Sequence, residues 1–154
     1  MRVHIGTDHA AFELKNHLVT ELRKLGHEVV DHGALEYDDA DDYPVFIIPT
    51  AEAVAADPES LGIVLGGSGN GENIAANKVK GIRSILAYNT DTARLGRQHN
   101  NANVIALGGR MASPEESLAI VQTFLQTRWP DEERHARRID LLTRYEQTGS
   151  LDAS

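Results

Sequence analysis

Apolar residues in this chain fall into short unbroken runs separated by stretches with helical spacing. Val3 to Ile5, His27 to Asp31, Leu61 to Leu65, Ile82 to Ala87 and Val104 to Leu107 read as five strands. Between the first two, Ala10 to Leu25 carries Phe12, Leu14, Leu18, Leu22 and Leu25 near the 3.6-residue period and stops at Gly26. Pro44 opens a second helix to about Ala56, Asn73 to Asn77 has helix-compatible composition, and a further helix spans about Thr90 to His99. Pro114 fits the first position of a helix ending near Gln126. Strands alternating with helices at these lengths predict a doubly wound, Rossmann-like α/β fold: a five-stranded parallel sheet covered on both faces. Beyond it, Trp129-Pro130-Asp131-Glu132-Glu133 reads as a helix start, and Ile139, Leu142 and Tyr145 supply a narrow apolar stripe. The expected organisation is one domain, with residues 1–128 as the α/β body and 129–154 as a C-terminal helical arm and tail.

Composition narrows the partners. With 41% hydrophobic and 25% charged residues the chain is globular in character. A formal net charge of −8 opposes nonspecific attraction to nucleic acid or anionic membranes, so an anionic substrate needs a local cluster of positive charge. Cysteine is absent, which removes disulfides, thiolate nucleophiles and Cys-based zinc sites together. The first strand turns polar at Thr7-Asp8-His9, too soon for the core of a signal peptide, and no apolar stretch reaches membrane-spanning length. The expectation is a soluble cytoplasmic protein. Glu36-Tyr37-Asp38-Asp39-Ala40-Asp41-Asp42-Tyr43 reads as a solvated acidic loop whose tyrosines could line a cleft. Its spacing follows no EF-hand pattern, and no metal is expected.

Candidate chemistry centres on Gly66-Gly67-Ser68-Gly69-Asn70-Gly71-Glu72, entered from the third strand. Its glycines let backbone amides approach a ligand at a helix N-terminus, where negative charge is favoured. A carboxylate beside such donors suits proton transfer, with a base for the proton and a hole for the resulting oxyanion. Glu72 could equally be a first-turn acid complementing the helix dipole. Asp8-His9 and Leu107-Gly108-Gly109-Arg110 also follow strands, so a parallel sheet should gather Asp8, His9, Ser68, Glu72 and Arg110 at its carboxyl edge. Each has an ordinary alternative: a helix cap for Asp8, a turn hydroxyl for Ser68, a surface arginine for Arg110. His99 and Asn100 end a helix that runs back to the opposite edge. That leaves either an overhang of the site or a neighbouring subunit to receive them. Arg134 and Arg138 stand at i,i+4 on one face of the arm, either on a solvated helix or gripping a phosphate across a subunit boundary.

Taken together, Gly6-Thr7-Asp8-His9-Ala10, Asp42-Tyr43-Pro44, the glycine loop, Arg97-Gln98-His99-Asn100-Asn101-Ala102-Asn103, Leu107-Gly108-Gly109-Arg110 and the Arg134-to-Arg138 segment resemble the type-B ribose-5-phosphate isomerases. These share their fold with the galactose-6-phosphate isomerase subunits, and the resemblance runs from Arg2 to about Tyr145. It implies an aldose–ketose isomerase of the branch with Ser at position 68 and Glu at 72, where the other branch uses a cysteine at the serine position. Glu72 is then the base, and the amides of Gly67, Gly69, Asn70 and Gly71 form an oxyanion hole. Asp8 and His99 open the furanose ring, Ser68 completes the catalytic set, and Asn100 assists binding. His9, Arg110, Arg134 and Arg138 hold the phosphate, some of them from the partner of a homodimer or larger homo-oligomer. Ala11 departs from the family's usual glycine, a mild change at a helix start.

No cofactor is expected, because the C2 proton beside an aldehyde is acidic enough for a carboxylate and an oxyanion hole. The helix dipole at a first-turn position is expected to keep Glu72 ionised. The implied substrates are ribose 5-phosphate and ribulose 5-phosphate, with six- or four-carbon aldose phosphates as the alternative. A nucleotide-binding module fits less well: Gly67-x-Gly69 is followed by Glu72 where the dinucleotide fingerprint needs Gly, and no Gly-Lys-Ser/Thr occurs. A silent sugar-phosphate sensor would not need Glu72 and His99 intact.

Overall fold

The computed structural model of the protein describes residues 1–152. Five strands form one sheet: β1 (Arg2–Thr7), β2 (Glu28–Asp31), β3 (Leu61–Gly66), β4 (Ser84–Leu86) and β5 (Val104–Gly108). They lie in the order β2-β1-β3-β5-β4, and every pairing is parallel. Six α-helices follow the strands in alternation and then extend past them: α1 (Phe12–Lys24), α2 (Pro44–Ala55), α3 (Asn70–Asn77), α4 (Thr90–Asn100), α5 (Pro114–Gln126) and α6 (Glu133–Thr148). The expected α/β class and strand count are present. The third strand explains the class physically, since all six of its residues are buried. Ile63 and Leu65 face the core shared with α1 and α5, while Val64 faces the core beneath α2 and α3. A strand buried on both faces has no polar alternation to offer, which is why it reads as an unbroken apolar run.

Local signals set most boundaries. Gly26, at φ +93°, ends α1 while the amides of Leu25, Gly26 and His27 bond back to Glu21, Arg23 and Leu22. Asn89 and Thr92 form a reciprocal capping box at the start of α4. Ser113 caps α5 in front of Pro114. Two expectations change. The first helix begins with a separate 3-10 turn, His9–Ala11, because the Asp8 side chain caps the amide of Ala10 there. The last helix starts at Glu133 and not at Trp129, because Asp131 takes a left-handed conformation (φ +54°) that breaks the helical path after Pro130. Residues 153 and 154 of the expected tail lie outside the described residues. Among those described, no helix is long and apolar enough to cross a membrane.

One polar pair sits inside the packing. Lys15 on α1 is 1% exposed and places Nζ 2.7 Å from Asp31 Oδ2 at the end of β2. The other carboxylate oxygen accepts the Gly33 amide at 2.9 Å. Removing one member of such a pair strands the other charge away from water, whereas replacing both can be nearly neutral. Asp31→Ala is expected to destabilise the fold by about 3 kcal/mol, the lower end for a buried pair because Asp31 is partly exposed. Lys15→Met in the same background should recover a large part of that loss. Urea unfolding of the two variants and the wild type measures both; equal stabilities for the single and double variants would assign the loss to the Gly33 bond alone.

Candidate active site

Because all five strands point the same way, the turns after β1, β3 and β5 emerge together at the carboxyl edge. Strand order reverses between β1 and β3, the position where open α/β sheets bind ligands. The turn after β3 is the glycine loop. Gly69 takes φ +88°, a left-handed conformation that lets the chain swing from strand to helix, and α3 starts at Asn70. Gly66 is demanded by contact. A Cβ there would collide with the carboxyl group of Glu72, which lies folded over the end of β3. The loop is braced from the neighbouring turn by the Gly109 amide to the Gly66 carbonyl (2.7 Å) and the Arg110 amide to the Gly67 carbonyl (3.1 Å).

Glu72 is 5% exposed. Burial pushes its pKa above the ordinary glutamate value; its own backbone amide pulls the other way, and the nearby Asp8 charge pushes it further up. The helix position therefore does not dominate as expected. Desolvation of the carboxylate outweighs the bond from its own first-turn amide, and the group becomes a better proton acceptor than an exposed glutamate. Asp8, itself buried, spends one oxygen on the Ala10 amide at 3.0 Å, so its capping role and its proximity to Glu72 coexist.

The amides offered for an oxyanion differ in availability. The Asn70 amide donates to the Ser68 hydroxyl oxygen at 3.2 Å, a local turn bond, and Glu72 turns its own amide onto its carboxylate. Gly67, Gly69 and Gly71 lie on either side of that bond. The Ser68 side chain is exposed at the loop tip. Tyr43, at the start of α2, lies against Gly71 closely enough that a Cβ there would meet its ring at 2.7 Å. One tyrosine of the acidic loop does border the site.

His9 and Arg110 flank the other side. Arg110 is exposed, makes no ion pair among the described residues, and brings its guanidinium to within 3.0 Å of where a Gly67 Cβ would stand. His9 places Nδ1 2.7 Å from Asp41 Oδ1. The acidic loop is thus not wholly solvated, and Asp41 is a site-bordering residue that the charge run concealed. Asp8, His9 and Asp41 bring one ligand-type atom each within 4.8 Å of one another, the one such cluster among the described residues. The His9–Asp41 hydrogen bond accounts for the closest approach in it.

His99, Asn100, Arg134 and Arg138 do not join this group within one chain. The end of α4 meets the amino edge, where the Arg83 guanidinium, beside the start of β4, binds the carbonyls of Asn100 and Asn101 (both 2.9 Å). The sheet separates that edge from the glycine loop by roughly 15 Å, the rise of a five-residue strand. There His99 stacks on His135 of α6, with ring centroids 4.6 Å apart and planes 21° apart. His135 was legible only as an upstream extension of the Ile139 and Leu142 stripe, at i,i+4 and i,i+7. Arg134 and Arg138 are exposed on the same helix, and Leu142 and Tyr145 lie 59% and 58% exposed, so much of the arm's stripe is left uncovered by the described residues.

Comparison with known proteins identifies the family and the fold. The family model described as Ribose/Galactose Isomerase matches residues 3–142. A protein of Mycobacterium tuberculosis named ribose-5-phosphate isomerase B is 57% identical over 96% of this chain and 91% of its own length. Its counterpart in Mycolicibacterium paratuberculosis is 56% identical over 96% and 93%. The ribose-5-phosphate isomerase B structure from Clostridium thermocellum superposes with a TM-score of 0.92 at 40% identity, covering 97% of this chain and all of that one. That from Mycoplasma genitalium, solved with bound ribulose-5-phosphate, gives 0.92 at 39% identity, covering 96% and 97%. With nearly its whole length matched by sequence and by fold, the chain belongs to the ribose/galactose isomerase family.

Proposed function

We propose that this protein interconverts D-ribose 5-phosphate and D-ribulose 5-phosphate, with Glu72 moving the proton between C2 and C1. The observation that carries the reading is the buried Glu72 carboxyl, raised in pKa and pressed onto Gly66 beside a turn of glycine amides. In the ring-opened aldose, C2–H is acidified by the C1 carbonyl. Glu72 takes that proton, the electrons form a cis-enediolate, and the negative oxygen is held by amides of Gly67, Gly69 and Gly71, with the Asn70 amide joining if Ser68 rotates away. As the proton of the C2 hydroxyl passes to the C1 oxygen, the same carboxyl returns the carbon-bound proton to C1, giving the ketose, so no net change in redox state or protons occurs. Loss of one such donor costs roughly 2.7–4 kcal/mol in comparable sites, which makes the loop as consequential as the base. Asp8 and His99 handle the ring oxygen, Asn100 orients the sugar, and His9, Arg110, Arg134 and Arg138 hold the phosphate. That remote anchor lets a small substrate be oriented precisely enough for proton transfer.

The amino-edge position of His99 and Asn100 favours a site made by two copies of the chain. One supplies Asp8, His9, the glycine loop, Glu72 and Arg110; its partner brings His99, Asn100, Arg134 and Arg138. The unpartnered stripe on α6 is the face such an association would cover. We read residues 129–154 as that crossing arm.

Glu72→Gln is expected to keep the fold and the affinity for a phosphate ligand while lowering kcat by at least about a thousandfold, and to abolish solvent exchange of a C2 deuterium label. Near-normal turnover would remove Glu72 as the base. In the wild type, kcat/KM should fall as pH drops through the pKa of Glu72, at a midpoint above that of an exposed glutamate because the base must be ionised and burial opposes ionisation.

The shared site has its own test. Glu72→Gln chains mixed with Arg134→Ala/Arg138→Ala chains, under conditions that exchange subunits, should form hybrids with one doubly defective and one intact site. Activity should return, up to about half of wild type per hybrid dimer. No recovery, once native mass spectrometry has verified the hybrids, would place the arginines in the same site as their own chain's Glu72.

A further inference from the structure

The run Glu36 to Asp42 raises a physical problem: a chain of net charge −8 brings an acidic loop to the site where an anion must bind. The resolution lies in one member of the run. Asp41 receives two hydrogen bonds on a single oxygen, Oδ1, from the His9 ring at Nδ1 (2.7 Å) and from the His9 backbone amide (3.1 Å). Its side chain is 9% exposed, and Oδ2 is buried without a hydrogen-bond partner. The loop prepares this placement itself, since the Ala40 amide bonds the Asp38 carboxylate (3.0 Å) and the Asp41 amide bonds the Asp38 carbonyl (3.1 Å). The Tyr37 ring meets the His9 imidazole edge-on, with centroids 6.3 Å apart.

We propose that Asp41 is a positioning residue for phosphate recognition: it fixes the His9 ring with Nδ1–H turned inward and Nε2 outward, and holds the ring as an imidazolium so that Nε2–H donates to the phosphate. The inference rests on the assignment of His9 to the phosphate, made above. A neutral imidazole bonded to Asp41 through Nδ1–H would present a lone pair at Nε2 and repel an anion. The imidazolium presents a donor, and a hydrogen bond with charge on both partners is about twice as strong as a neutral one. Asp41 also stops being a liability, since its charge is matched by the ring it holds.

The surrounding charges act in both directions. The hydrogen bond from Asp41 is the largest influence and raises the His9 pKa above the usual histidine value; burial lowers it, the charges of Asp8 and Asp41 raise it, and Arg110 lowers it. On the α1 side, Glu13 and His17 line the same cleft with Tyr37. With the upward influences in the lead, the imidazolium persists to higher pH than in a free histidine and is lost as pH rises through the raised pKa.

Sulfate tests this, because it stays a dianion across the range in which a phosphate ester titrates. The wild type should bind sulfate with a midpoint of loss above pH 6.5, the ordinary histidine value. Nitrogen-15 spectra should show His9 titrating at that midpoint, with the proton retained on Nδ1 in its neutral form. Asp41→Asn should move both midpoints to lower pH and weaken sulfate at pH 7 roughly tenfold, the loss of one charge-assisted hydrogen bond. With sugar phosphate the loss should fall on KM, with kcat little changed. Asp39→Asn, which removes the same charge from an exposed position of the same loop, should follow the wild type. A neutral His9 protonated on Nε2 in the wild type would overturn the assignment, with no variant required. So would equal shifts for Asp39→Asn and Asp41→Asn, which would reduce the effect to loop charge. Sulfate binding and the His9 titration need no turnover. Expected behaviour in both, from a protein that fails to isomerise ribose 5-phosphate, would therefore sink the isomerase reading and leave the role of Asp41 standing.

Discussion

Parallel pairing of all five strands is the constraint from which the rest of the molecule follows. A parallel strand cannot be reached by a tight turn, so each one is followed by a helix that returns the chain to the amino edge. Every strand-to-helix turn is thereby sent to one edge and every helix-to-strand turn to the other. Asp8, the glycine loop and Arg110 are brought together by this rule, although they are far apart in sequence. The same rule sends the end of α4, with His99 and Asn100, to the far edge. Convergence and separation have one cause.

At the carboxyl edge the chain solves an electrostatic problem with short-range contacts. As the proposed base, Glu72 would have to be basic enough to take a carbon-bound proton, yet it sits in the first turn of a helix whose dipole stabilises the carboxylate. Burial over Gly66 is the stronger influence and sets the direction of the pKa shift. The two glycines at the base of the loop divide the work. Gly66 leaves room for the carboxyl, and Gly69 supplies the left-handed turn that aims α3 back over the strand. Around them a net-negative protein presents Arg110 free of any ion pair among the described residues, along with His9, which Asp41 holds at both its ring and its backbone amide.

Much of this was legible in the sequence because it rests on local rules. Apolar runs with no polar alternation announced doubly covered strands, and Pro44, Pro114 and Gly26 marked boundaries where a helix starts or the backbone needs a left-handed stop. The glycine loop was conspicuous for the same reason, as a run of residues that only close approach requires. What stayed hidden depends on distant partners. The direction of the Glu72 shift comes from burial, which no motif encodes. Asp41 could not be told from Asp38, Asp39 and Asp42, since only the position of His9 across the cleft singles it out. The start of α6 was misplaced because Pro130 and the acids after it satisfy the composition of a helix start. Asp131 nevertheless adopts a left-handed backbone that the composition does not forbid.

The exposed stripe on α6 and the position of His99 bear on each other. Leu142 and Tyr145 remain largely exposed on a helix that meets the body of its own chain at α4, near the stacked rings of His99 and His135, and at the Gly81 amide, which donates to Glu146 Oε2 at 3.0 Å. A free-standing enzyme would gain nothing from holding those apolar groups in solvent, nor from carrying Arg134 and Arg138 on a helix apart from its own glycine loop. Both features make sense if the helix belongs to a neighbour's site as much as to its own chain. The His99–His135 stack then ties the histidine to the helix that carries Arg134 and Arg138, so a single rigid unit would deliver the ring-opening group and the phosphate cations at a fixed spacing. In that arrangement association is part of the chemistry: the apolar face that drives two chains together is also what sets the distance between proton transfer on one side of the sugar and phosphate capture on the other.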